Sequence, residues 1–248
     1  MDRREEIRSC IEATKVVAII RGFPPETCVK LAAAYREGGI RLVEVTFDQL
    51  GDPADTVNAI RAIRTAHPGM HVGAGTVLTA AQLDLAVGAG AEFVVTPNCA
   101  PEIIRRAKSA GLVTLPGAMT PTEMAAAHEA GADFVKVFPV RALGPAYVRD
   151  VLAPLRHLKL VAVGGVSSAN AADYLRAGCV AVAASGSLTN RDWIAAGDYG
   201  RIAAAARDLV AAVNAAVVDY LDYDMPGGTF VAKSAECQLV TSATTDLQ

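Results

Sequence analysis

Eight short β-branched runs, each followed by an alanine-rich stretch, constrain this chain more than any other feature. The runs lie near Val16–Ile20, Leu42–Thr46, His71–Ala74, Phe93–Thr96, Val113–Pro116, Phe134–Phe138, Leu160–Val163 and Ala181–Ser185. Helical segments are expected to begin near Pro24, Asp52, Ala80, Pro101, Pro121, Pro145 and Ala169, with a last helix from about Trp193. Several carry proline in the first turn, where the missing N–H costs nothing. Glycine closes many of them, at Gly38-Gly39, Gly90, Gly111, Gly131 and Gly178, and a strand follows within a few residues. This is the left-handed helix stop. Gly90-Ala91-Glu92-Phe93, Gly131-Ala132-Asp133-Phe134 and Gly178-Cys179-Val180-Ala181 repeat one phrase, as a recurring βα unit does.

Strictly alternating strands and helices give an α/β chain, and eight of each argue for a closed (β/α)8 TIM barrel over an open doubly wound sheet. An open sheet would want G-x-G-x-x-G after its first strand, and Arg21-Gly22-Phe23-Pro24-Pro25 is not that. A chain of 248 residues with 52% hydrophobic content can bury one such core. The barrel is expected over residues 1–221. Residues 222–248, with Gly227-Gly228 and a Ser/Thr-rich end, read as a short extension that contacts a subunit or is disordered.

The net charge of -3, without any basic run, recommends neither nucleic acid nor an anionic membrane as partner. The five cysteines are scattered with no C-x-x-C, as in a reduced, cytoplasmic protein. The charged start, Met1 to Glu6, has no apolar core to follow and is not a signal peptide. The apolar-rich stretch Leu209–Leu221 holds Asn214 and Asp219 and is too short to span a bilayer.

In a barrel the chemistry collects where the strands end. Along Phe134–Phe138, side chains alternate, so Lys136 shares a face with Phe134 and Phe138. Burial among aromatics disfavours the ammonium, and a neutral amine attacks carbonyl carbon. Lys136 therefore fits either a Schiff-base lysine or a strand-end lysine paired with a carboxylate. Glu44 shares a face with Leu42 and Thr46. If that face is the interior, Glu44 meets Lys136 in the mouth, as a general acid/base or as a mere ion-pair partner. Gly164-Gly165, with Gly186-Ser187 after the next strand, sits where many barrels hold a phosphate on backbone N–H groups, Ser187 adding a hydroxyl donor; two tight turns are the other reading. Arg21, ending the first strand, suits an anionic substrate group or a surface salt bridge. Gly73-Ala74-Gly75-Thr76 offers a hydroxyl and close backbone approach. The four histidines show no metal-ligand spacing, and Asp48 with Glu44 makes a thin case for a cation, so no metal is expected.

Taken together, Ala18 to Gly22, Glu44-Val45-Thr46-Phe47, Val72 to Leu78, Thr96-Pro97-Asn98, Leu115-Pro116-Gly117, Phe134 to Pro139, Leu143-Gly144-Pro145 and Val163 to Val166 resemble the 2-keto-3-deoxy-6-phosphogluconate aldolase family. That family includes the 6-phosphogalactonate and 4-hydroxy-2-oxoglutarate aldolases. The stretches occur in family order from about Val16 to Leu188, and G-A-G-T-V-L with V-K-V-F-P is specific as a pair. The resemblance implies Lys136 as the imine-forming lysine and Glu44 as general acid/base. It implies Thr76 on the pyruvyl carboxylate, Pro97 and Phe138 lining that pocket, and Arg21 on substrate. Gly164, Gly165 and Ser187 would hold a distal phosphate.

It further implies a cofactor-free, metal-free class I aldolase that releases pyruvate and glyceraldehyde 3-phosphate from a 2-keto-3-deoxy-6-phospho sugar acid, working as a cytoplasmic homotrimer. The chain departs from the pattern at Asp48, where some relatives carry arginine, and at Ala184 and Ser185, where relatives are richer in glycine. Three alternatives stand beside this reading. They are an aldolase for an unphosphorylated 2-keto acid such as 4-hydroxy-2-oxoglutarate, a phosphate-binding barrel isomerase or synthase without an imine, and a non-catalytic binding barrel.

Overall fold

The computed structural model describes residues 2–221, so the tail at 222–248 lies outside the described residues. Its strands are β1 (Val16–Ile20), β2 (Leu42–Thr46), β3 (His71–Gly75), β4 (Phe93–Val95), β5 (Val113–Leu115), β6 (Gly117–Ala118), β7 (Val135–Val137), β8 (Leu160–Val163) and β9 (Ala181–Ala184). They pair in parallel in the order β5-β4-β3-β2-β1-β9-β8-β7-β6. The two ends of that sheet are consecutive in the chain, because β5 and β6 are one run parted at Pro116, which has no N–H to give a ladder. β5 pairs with β4 while β6 pairs with β7, and Lys136 N–H donates to Pro116 O at 2.8 Å, so the sheet closes into the expected (β/α)8 barrel. The fifth predicted strand is thus β5, and β6 continues the same barrel stave beyond Pro116.

The helices are α1 (Arg3–Thr14), α2 (Pro25–Glu37), α3 (Pro53–Ala66), α4 (Ala80–Ala89), α5 (Pro101–Ser109), α6 (Pro121–Glu129), α7 (Gly144–Leu152), α8 (Ala171–Arg176), α9 (Arg191–Ala195) and α10 (Tyr199–Leu221). Two differ from expectation. The last predicted helix is α9 and α10, parted at Gly197, which takes a φ of +70° to turn the chain. The start of the chain, read only as charged, is the helix α1.

Strand alternation builds two cores. Residues such as Ala18, Val43, Val72 and Val135 face the helices. Val17, Ile19, Leu42, Phe93, Val113, Phe134 and Val161 face the barrel axis, and Ile7 and Ile11 of α1 complete that inner layer from below. Both isoleucines are at most 1% exposed. At about 25 cal/mol per Å² of apolar surface, fully burying two such side chains is worth roughly 3–6 kcal/mol. Among the described residues no helix is long and apolar enough to cross a membrane.

Candidate active site

The inner face fixes what the mouth contains. Leu42 belongs to the inner layer, so Glu44 and Thr46 follow it inward; Phe134 belongs there too, so Lys136 follows it. These two side chains therefore share the barrel interior, on strands β2 and β7 across the barrel from each other. Glu44 is 1% exposed and Lys136 3%. The Lys136 amine stands 4.6 Å from the centre of the Phe138 ring. Burial pushes Lys136 below the ordinary lysine range, Glu44 opposes this, and the Arg21 charge adds to it. Burial likewise pushes the Glu44 carboxyl above the usual carboxylate range, against the pull of Lys136 and Arg21. No direct ion pair joins the two, and Glu44 Oε1 is buried with no hydrogen-bond partner. A structural pair would have spent that oxygen on the ammonium. Here it keeps a lone pair for a proton.

Gly75 is what lets Glu44 fit: a Cβ at that position would overlap the Glu44 carboxyl. Gly73 answers Phe93 in the same way, and Gly117 answers the backbone of Pro97. The first two glycines of the G-A-G-T segment are thus spaces for side chains across the sheet. The following Thr76 has a φ of +54°, a left-handed conformation rare for a β-branched residue. Thr96 ties the loop beside it, its hydroxyl donating to Asn98 O at 2.5 Å and accepting from Gly117 N–H at 3.4 Å. Pro97, Thr76 and Phe138 are half-buried at the rim, and Arg21 is exposed there.

Gly164 and Gly165 both have positive φ, +103° and +80°. The backbone N–H groups of Gly165, Gly186 and Ser187 have no partner among the described residues, as an anion cradle requires. The Ser187 hydroxyl, expected as a donor to phosphate, instead donates to Val166 O at 2.9 Å and ties the two loops together. Arg141 was not singled out from the sequence. Its N–H donates to Gly164 O at 3.1 Å and its stem packs so closely that a Cβ on Gly165 would collide with it. The signal was its place two residues after Pro139, in the loop leaving the lysine strand. Asp48 stands apart from Glu44: it is exposed, and its Oδ1 accepts the Leu50 N–H at 3.0 Å in a tight turn. Among the described residues no three His, Cys, Asp or Glu side chains are grouped to hold a metal.

Fold and mouth together define a (β/α)8 barrel built around a desolvated lysine and a protonatable carboxyl. Comparison with known proteins sharpens that class. The model of the KDPG and KHG aldolase family matches residues 7–205, and the chain belongs to that family. It is 40% identical over 164 residues to a probable 2-dehydro-3-deoxy-6-phosphogalactonate aldolase of Rhizobium meliloti, covering 66% of this chain and 76% of the relative. It is 34% identical over 203 residues to the KHG/KDPG aldolase of Escherichia coli K12, covering 82% and 93%. Among solved structures, one described as a native KDPGal structure superposes with a TM-score of 0.74 at 34% identity, over 82% of this chain and 96% of that one.

Proposed function

We propose that this protein is a class I aldolase that cleaves a 2-keto-3-deoxy-6-phospho sugar acid to pyruvate and glyceraldehyde 3-phosphate. The observation that carries the reading is Lys136, buried in the mouth of a barrel of this family and held below the ordinary lysine range, with the unpaired Glu44 oxygen in the same interior. The neutral Lys136 amine adds to the C2 ketone and water leaves, giving an iminium. The C3–C4 bond then breaks, its electron pair flowing into the iminium to form an enamine. Glu44 takes the C4 hydroxyl proton as the aldehyde departs, directly or through water. The enamine is reprotonated at C3, and hydrolysis of the imine frees pyruvate and returns Lys136. A raised carboxyl pKa makes Glu44 a stronger base for that proton than an ordinary carboxylate.

Thr76, with Pro97 and Phe138 beside it, binds the pyruvyl carboxylate. Arg21 meets substrate at the rim. The unpartnered N–H groups of Gly165, Gly186 and Ser187 take the distal phosphate, with Gly164 shaping the turn. The chemistry needs no metal or organic cofactor, and the partners are the small 2-keto acid and pyruvate. The cytoplasmic homotrimer implied by the resemblance belongs to the same proposal, and sedimentation measures the trimer.

The test is to incubate the protein with pyruvate and sodium borohydride, weigh it intact and map the modified peptide. A reduced pyruvyl adduct on Lys136, absent from Lys136→Ala, is the expected result. A folded protein that gains no mass sinks the imine mechanism. The ratio of cleavage rates for phosphorylated and unphosphorylated 2-keto acids then tests the distal site.

A further inference from the structure

Thr76 holds a backbone conformation that its branched side chain disfavours, and such residues persist only where the surroundings over-determine them. Here three hydrogen bonds do so. The Thr76 carbonyl accepts from Gln49 Nε2 at 2.9 Å. The next N–H, of Val77, donates to Val95 O at 3.3 Å. The one after, of Leu78, donates to Gln82 Oε1 at 2.8 Å, and Gln82 Nε2 donates in turn to Gln49 Oε1 at 3.0 Å. This chain begins at backbone N–H donors and ends at a backbone carbonyl, so it fixes which way both side-chain amides face.

The molecule contains its own control. Gln82 is the third residue of a capping box on α4, with Thr79 as N-cap. Helix α6 has the same box, Thr120 with Glu123, and Glu123 Oε2 accepts from Met119 N–H at 2.9 Å and Thr120 N–H at 2.8 Å. A carboxylate therefore performs the capping in full. What Gln82 has beyond Glu123 is an N–H, and it is spent on Gln49.

We propose that Gln49 and Gln82 are positioning residues that hold Thr76 where it meets the carboxylate of the 2-keto acid, latching the loop after β2 to the loop after β3. The inference rests on the aldolase reading of Thr76. It requires that changing either glutamine weakens recognition of the carboxylate and leaves the lysine chemistry alone. In Gln82→Glu the capping acceptor stays, while the new carboxylate turns the Gln49 amide until its oxygen faces the Thr76 carbonyl.

The experiment measures the concentrations of pyruvate, and separately of acetone, that half-saturate borohydride trapping on Lys136 in the wild-type chain, Gln82→Glu and Gln49→Ala. Loss of one such bond is expected to raise half-saturating pyruvate about 3–10-fold in both variants, with trapping at saturation kept within twofold. Acetone, which has no carboxylate, is trapped equally by all three, and the melting temperature of Gln82→Glu stays with the wild type. Unchanged pyruvate saturation in both variants overturns the inference while the aldolase reading stands. Equal weakening toward pyruvate and acetone also overturns it, showing a general loosening of the mouth. A wild-type chain that traps no pyruvate overturns both.

Discussion

The two ends of the barrel are built from similar ionisable groups and use them in opposite ways. At the base, every carboxylate oxygen of Glu92 and Asp133 is engaged. Glu92 accepts from Arg3, from Arg64 at 3.0 Å and from His71 Nδ1 at 2.9 Å. Asp133 takes Arg4 at 2.9 and 3.0 Å and Thr114 N–H at 3.0 Å. Burial alone would push Glu92 up, but its bonds to His71 and Arg3 outweigh it and hold the carboxyl at about 2. At the mouth, Glu44 is more deeply buried than Glu92, keeps an unpartnered oxygen, and moves the other way. A saturated carboxylate is an anchor. A buried, unsaturated one is left able to take up a proton, and the molecule keeps a barrel's length between the two kinds.

Substitutions at the two ends should therefore fail differently. Glu44→Gln is expected to lower turnover by about 10²–10⁴-fold, the usual weight of a proton-transfer group, with the fold intact. With the Glu44 charge gone, Lys136 loses the interaction that raises its pKa. Pyruvate trapping against pH should then reach its plateau at lower pH than in the wild type, and both plateaus lie below an ordinary lysine. At the base, Glu92→Gln removes the centre of a partly buried network and is expected to cost about 2–3 kcal/mol, discounted for the exposure of Arg3 and Arg64. Thermal melting should fall by several degrees while turnover, measured well below the transition, stays within twofold. A Glu92→Gln chain with unchanged melting and lost turnover would erase the contrast between the ends.

Gly75→Ala sharpens the comparison from the side of packing. Its Cβ competes with the Glu44 carboxyl for space, and such overpacking costs about 1–3 kcal/mol. Turnover is expected to fall together with stability, since the displaced group is the proposed proton carrier; kinetics and melting on one preparation check it. The smallest effect is in pH. His71 is held up to about 9 from 6.5: burial lowers it, and the nearby Cys10 and its bond to Glu92 more than compensate. Its contribution is full below about 6.5 and is lost as pH rises through 9. Glu92 contributes above 4.5 and loses its share as pH falls toward 2. Melting temperature should be highest between these limits and decline on both sides, and Glu92→Gln should flatten the curve.

The staves and their contents were legible because a strand has a period of two. That period set Glu44 on the face of Leu42 and Lys136 on the face of Phe134, and the barrel turns both faces inward. What escaped lacked such a period. Helix α1 shows only Ile7 and Ile11 one turn apart among charges, too narrow a stripe to announce that it seals a barrel. The parting of β5 from β6 was marked by Pro116, and the parting of α9 from α10 by Gly197, but neither residue says whether a break ends an element or only bends it. The contacts of Gln49, Gln82 and Arg141 follow the course of loops, which depends on three-dimensional neighbours rather than local pattern. Ser187 was read as a free hydroxyl donor, and its hydroxyl proved committed to Val166.

The seal at the base also gives the start of the chain a duty in solubility. Arg3 reaches Glu92 across 89 positions of chain and Arg4 reaches Asp133 across 129, so α1 ties the barrel floor to segments far from it in sequence. With α1 cut away, Phe93 and Phe134 would floor an open tube and present a greasy surface to neighbouring molecules. A chain shortened by its first fourteen residues is therefore expected to aggregate.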